Sequence, residues 1–158
     1  MDLDRLSSGE KVASGSAILL FIFMFFHWFG VQLSDPTPLA PSRSVVPGKS
    51  AWEALDYIPI ILLIAIITAL AVAALRLANA GLELSVQLNA VVALLGIVSV
   101  LLILLRIIDP PSFGSSGAIT VEGTVQLPIF LALLAAAGVA FGGYRAVRDE
   151  DHRVRHEI

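Results

Sequence analysis

Charged residues divide the chain into four long uncharged stretches. Lys11 and Asp35 bound 12–34, Asp56 and Arg76 bound 57–75, Glu83 and Arg106 bound 84–105, and Glu122 and Arg145 bound 123–144. Each run holds 19 to 23 residues, and a helix rising 1.5 Å per residue needs about 20 to cross the hydrocarbon core of a bilayer. Within them, Ile60-Ile61-Leu62-Leu63-Ile64 and Leu101-Leu102-Ile103-Leu104-Leu105 lack the polar–apolar alternation of a barrel strand, which would also be only about 9–11 residues long. A backbone in hydrocarbon must satisfy its own amides, so runs of this length and texture predict helices. The expected fold is an all-α membrane protein, an up-down bundle of four transmembrane helices in a single domain over residues 1–158.

The boundaries carry their own signals. Ser7-x-x-Glu10 and Ser50-x-x-Glu53 have capping-box spacing, in which a hydroxyl and a carboxylate satisfy free amides of a first turn; the second places a helix start near Ala51. Pro59 and Pro128 lie inside the second and fourth predicted helices, where each removes an amide and predicts a bend. Arg5 and Lys11 before the first run have the look of a signal peptide, but His27-Trp28-Phe29-Gly30-Val31-Gln32 supplies no small-x-small cleavage site. Phe21, Phe25, Trp28 and Phe29 form a stripe on the first helix, with Trp28 and Trp52 expected at headgroup level. In the outer loops, Ser44-Val45-Val46 and the β-branched run from Ala118 to Val125 allow a small strand pairing.

Composition agrees with lipid as the solvent. The chain is 57% hydrophobic and only 15% charged, with a mean hydropathy of +0.87, against about 45–50% and 25% for soluble domains. Its net charge is −3 with no basic block, so nucleic acid finds no footprint. The absence of cysteine excludes disulfides, zinc ribbons and thiol chemistry. Arg5, Lys11, Arg76, Arg145, Arg148, Arg153 and Arg155 flank one side of the spans and only Arg43, Lys49 and Arg106 the other. The positive-inside rule then puts both termini in the cytoplasm of a multi-pass protein of the cytoplasmic (inner) membrane.

In lipid, close packing replaces the hydrophobic effect between helices, so small residues mark contact faces. Ala65, Ala69 and Ala73 form such a face on the second helix and Gly138-x-x-x-Gly142 on the fourth, read as packing within the chain rather than as homodimer seams. Mid-span positions offer only Thr68, Ser99 and glycines, whereas ion-coupled transporters place ionisable groups at that depth. Ionisable residues instead gather at the outer rim, at His27, Asp56, Arg106, Asp109 and Glu122. Two readings compete there. One is a metal site of His27, Asp56, Asp109 and Glu122; the other, which the single histidine favours, is a structural ion pair from Arg106 to Asp56. His152-x-x-x-His156 has metal-pair spacing, but Asp149 with Arg153 and Asp151 with Arg155 are spaced as exposed helix pairs, which makes 145–158 a charged cytoplasmic tail. No phosphate loop, nucleophile elbow or HExxH is present, and neither a catalytic residue nor a cofactor is expected.

Taken together, Gly9-Glu10-Lys11, His27-Trp28-Phe29-Gly30, Trp52-Glu53-Ala54-Leu55-Asp56, Arg106-Ile107-Ile108-Asp109-Pro110-Pro111 and Gly142-Gly143-Tyr144-Arg145-Ala146-Val147-Arg148 resemble a type of four-span bacterial membrane protein of uncharacterised function, commonest in actinobacteria. The resemblance covers nearly the whole chain and implies a fold and a location, not an activity. The expected role is that of a non-enzymatic accessory or scaffold protein, its partners the lipid bilayer and another protein or a second copy of itself. The alternative is a small transporter or channel-like oligomer with a cation site at the outer rim.

Overall fold

A computed structural model of the protein describes residues 6–34, 46–78, 86–116 and 119–156. In chain order these form α1 (Ser8–Phe23), β1 (His27–Ser34), β2 (Val46–Ser50), the single turn α2 (Ala51–Ala54), α3 (Ile58–Ala78), α4 (Val86–Ile108), β3 (Ser112–Ser116), β4 (Ile119–Val125) and α5 (Leu127–His156). Of the expected outer strand pairing, Ser44, Val45 and Ala118 lie outside the described residues.

Three of these helices, α3, α4 and α5, are long and apolar enough to cross a membrane. The first predicted helix, over 12–34, stops early: α1 holds 16 residues, about 24 Å of rise. Its last turn tightens, with the Phe25 and Phe26 amides donating to the carbonyls of Ile22 and Phe23. The chain then extends into β1, whose aromatic and β-branched residues suit a pleated surface. Trp28 ties this corner down. Its indole N–H donates to the Phe23 carbonyl at 2.7 Å, satisfying a last-turn acceptor. Trp28 is thus fully buried beside Phe29 in the core and does not face outward; Trp52 is exposed, against Phe25 with ring centroids 6.2 Å apart.

α1 and α4 each pack on both α5 and α3, so the four helices close a ring in the order α1, α3, α4, α5. Glycine sets the tightest seams. A Cβ on Gly9 would meet the backbone of Ala146, one on Gly142 the backbone of Ala13, and one on Gly138 the side chain of Ser16. Residues rising along α1 thus meet residues falling along α5, and the pair is antiparallel. On the other side of α5, a Cβ on Gly143 would lie 2.6 Å from the Ala93 amide nitrogen and one on Gly96 2.5 Å from that of Ala140, so α4 and α5 are antiparallel too. Ala65, Ala69 and Ala73 on α3 are buried. The outward faces stay apolar, with Ile18, Leu19, Ile64, Ile67, Leu94, Leu101, Leu134 and Phe141 all exposed. A water-soluble protein rarely leaves so continuous an apolar surface uncovered.

The end of the bundle formed by the C-termini of α1 and α4 and the N-termini of α3 and α5 is capped by a four-stranded antiparallel sheet of order β2-β1-β4-β3. β1 and β4 pair over six residues, from Phe29 opposite Val125 to Ser34 opposite Thr120. The Gln126 amide donates to the Trp28 carbonyl at 2.9 Å and leads the chain into α5. The strand expected over 118–125 is therefore present from Ile119, but it pairs with β1 and β3.

Two other expectations change. The capping box at Ser50 opens only α2; Leu55 is extended (φ −131°, ψ 113°) and the long helix restarts at Ile58. Glu53 accepts from the Ser50 amide at 3.1 Å and its hydroxyl at 3.2 Å, and these bonds hold its carboxyl below the usual range. Their contribution is present above the ordinary carboxylate pKa and is lost as pH falls through the lowered value. Pro59 and Pro128 each fall at the second residue of their helix. There the missing amide has no carbonyl to serve, so neither is placed to bend its helix.

Candidate functional site

Among the described residues the outer rim forms no ionic cluster. His27, Asp56 and Asp109 are exposed and Arg106 half-buried. Among the described residues no ion pair joins Asp56 to Arg106, and no group of three His, Asp or Glu side chains is placed to hold a metal. The Asp109 amide still donates to the Leu105 carbonyl at 2.8 Å, just past the end of α4. Glu122 stands opposite Gln32 in the β1–β4 register; its side chain lies outside the described residues. So do the side chains of His152 and His156, although the backbone continues helical through His156.

The ionisable groups that do converge are at the opposite end. Glu10, in the first turn of α1, and Arg76, in the last turn of α3, form an ion pair with Oε1 2.7 Å from Nε. Glu10 is 3% exposed and the Arg76 side chain 15%. Antiparallel packing brings these two turns to one level, and each charge also suits its own helix terminus: an anion at an N-terminus, a cation at a C-terminus. Glu10 serves two structures at once. Its Oε2 accepts from the Ser7 amide at 2.9 Å while the Ser7 hydroxyl accepts from the Glu10 amide at 3.2 Å, so the capping box fixes the carboxylate that pairs with Arg76.

Beside the pair, Glu10, Ala69, Ala73, Asn89, Gly143 and Ala146 help line an internal cavity of about 10 Å³, to which all four helices contribute. That is the space of one water molecule. Asn89 is 2% exposed and engaged in polar contact. Nearer the middle of the spans, the hydroxyls of Thr68 and Ser99 donate to the carbonyls of Ile64 and Leu95 at 2.7 and 2.8 Å, the i−4 back-bond available to a helical hydroxyl. Their polarity is consumed within their own helices. The arrangement can hold helices in register and seat a small polar molecule; it offers neither a nucleophile–base pair nor an open coordination site.

Sequence reasoning assigned Glu10 to a helix cap and Arg76 to a flanking charge, and missed the pair they make. A signal was present. Glu10, Ala13, Ala17 and Leu20 recur at i, i+3, i+7 and i+10, and all four are buried, so Glu10 lies on the inward stripe of its helix. The fold and this cluster define a small helical bundle with three helices long and apolar enough to cross a membrane, tied at one end by a buried ion pair and capped at the other by a sheet. No family model, curated protein or solved structure matches the chain.

Proposed function

We propose that the protein is a four-span membrane scaffold whose sheet-capped face engages a protein partner, with no catalytic activity of its own. The observation that carries this reading is the close packing of the helices among the described residues. Glycine and alanine seams bring the helices to backbone contact, and the cavity they leave between Glu10 and Asn89 has room for about one water. A solute pathway needs a continuous polar lining, and the mid-span hydroxyls of Thr68 and Ser99 are turned back onto their own helices. Against the cation-site alternative, His27, Asp56 and Asp109 are exposed and form no group placed to hold a metal among the described residues.

α1 belongs with the spanning helices in this reading. Ile18, Leu19, Ile22 and Phe25 give it an outward apolar face like those of α3, α4 and α5, and the turn through Phe26 brings its rise close to the hydrocarbon thickness. With seven cations against three, both termini lie in the cytoplasm of a bacterial inner membrane and the sheet on the outer side. The resemblance to four-span bacterial membrane proteins belongs to the same proposal.

The sheet has two edge strands, β2 and β3, and unpaired edges are natural docking lines for an added strand. Affinity purification in a mild detergent, followed by mass spectrometry, is expected to recover one stoichiometric partner protein. Its recovery should fall at least tenfold when β3 is interrupted by Ser115→Pro. Recovery of a homo-oligomer that conducts ions in planar bilayers would overturn the scaffold reading.

A further inference from the structure

At the end of the bundle opposite the sheet, Phe141, Tyr144, Arg145, Arg148 and Asp149 line an open groove of about 350 Å³ on the outward side of α5. Phe141 and Tyr144 are both more than half exposed, and Arg145 and Arg148 are exposed as well. Among the described residues neither arginine is in an ion pair, in contrast to Arg76. Asp149, four residues beyond Arg145, lies at the same groove, so its described lining carries two arginines and one aspartate. Depth matters here. Arg145 comes 18 residues after Leu127 at the start of α5, about 27 Å along the helix. That is close to the roughly 30 Å of a hydrocarbon core, so the two guanidinium groups reach the level of headgroup phosphates. Phe141 lies one turn deeper, on the lipid-facing side, and Tyr144 suits the boundary between.

We infer that this groove is a binding site for an anionic phospholipid. Arg145 and Arg148 hold the phosphodiester, through the planar fork that suits phosphate geometry. The glycerol and the first acyl carbons lie on Phe141 and Tyr144. Two guanidinium groups beside one carboxylate suit a singly charged phosphodiester, as in phosphatidylglycerol. The groove opens onto the apolar face of α5, which selects a phosphate that carries acyl chains over one free in solution. The inference rests on the bilayer-spanning reading of α5 and deepens it.

Native mass spectrometry of the delipidated full chain in detergent, titrated with phosphatidylglycerol and with phosphatidylcholine of the same chains, tests it. Phosphatidylglycerol is expected to bind about tenfold more tightly, since each basic side chain near the surface favours an anionic lipid several-fold. Arg145→Gln/Arg148→Gln should bring the two lipids to equal affinity, and Phe141→Ala should weaken both. Equal binding of the two lipids by the wild-type protein would overturn the proposal without recourse to any variant. So would unchanged selectivity in the double variant, or displacement of phosphatidylglycerol by millimolar glycerol phosphate, which would mark a site for a soluble phosphate. Incorporation into phosphatidylcholine nanodiscs checks the spanning reading separately, because it needs α5 in the bilayer but not the groove.

Discussion

Glu10→Gln is expected to lower the unfolding free energy of the detergent-solubilised protein by about 3 kcal/mol. Glutamine has the same shape and still completes a capping box, so the change removes only the charge. What remains is Arg76, its side chain 15% exposed, without the carboxylate that meets its Nε, and removing one charge of a buried pair is the costly change. Arg76→Met should cost more, toward 5 kcal/mol, because Glu10 is the more deeply buried member at 3% exposure. The double variant Glu10→Gln/Arg76→Met should recover most of either loss, since an intact buried pair is stabilised little beyond its own desolvation cost. Asp56→Asn, at an exposed position, should stay within about 0.5 kcal/mol. Unfolding titrations in mixed micelles measure all four. A neutral Glu10→Gln would show that the pair does not hold α1 to α3.

The second large effect is expected at Gly142. A Cβ there would strike the backbone of Ala13 and Gly9, atoms that cannot rotate away as a side chain can. Gly142→Val should therefore separate α1 from α5 and cost at least about 3 kcal/mol, the upper end of the range for overpacked cores. Gly138→Ala should cost less, because its Cβ would meet the Ser16 side chain, which has other rotamers. Gly15 is the control. Nothing lies within 4 Å of a Cβ at that position, so Gly15→Ala should gain up to about 1 kcal/mol from helix propensity alone. If Gly142→Val and Gly15→Ala behave alike, the α1–α5 seam is not where it is described. The same geometry accounts for the Gly138-x-x-x-Gly142 spacing within one chain, because α1 already occupies that face.

The long apolar helices were legible because hydrophobic length is a direct consequence of bilayer thickness. α3 and α4 begin and end within a few residues of the charges that bound their uncharged runs. The sheet was largely hidden for the same reason. β1 lies inside the first uncharged run and β4 across the start of the fourth, and an uncharged stretch says nothing of whether its backbone is helical or extended. Gln32, Thr120 and Thr124 alternate with apolar neighbours there, a period-two trace too short to outweigh the length signal. The charged cluster failed differently. Counting charges in spans and loops treats Glu10 as a terminus, whereas the tertiary fact is which face of α1 it shares with Ala13 and Ala17. At the rim, the level of the charges along the bundle was legible; lateral position was not, and that decides that no ion pair joins Asp56 to Arg106.

Whether α1 crosses the bilayer with α3, α4 and α5 decides the account, and side-specific labelling measures it directly. The chain has no cysteine, so single cysteines can be placed at Ser8, Tyr57, Asp109 and Arg155 without background. Ser8, Tyr57 and Asp109 are exposed, and Arg155 lies in the last turn of α5. In intact bacterial cells a membrane-impermeant maleimide should label positions 57 and 109, while positions 8 and 155 should react only after lysis. Labelling of position 8 together with 57 in intact cells would contradict the four-span bundle and leave three crossings with α1 outside the bilayer.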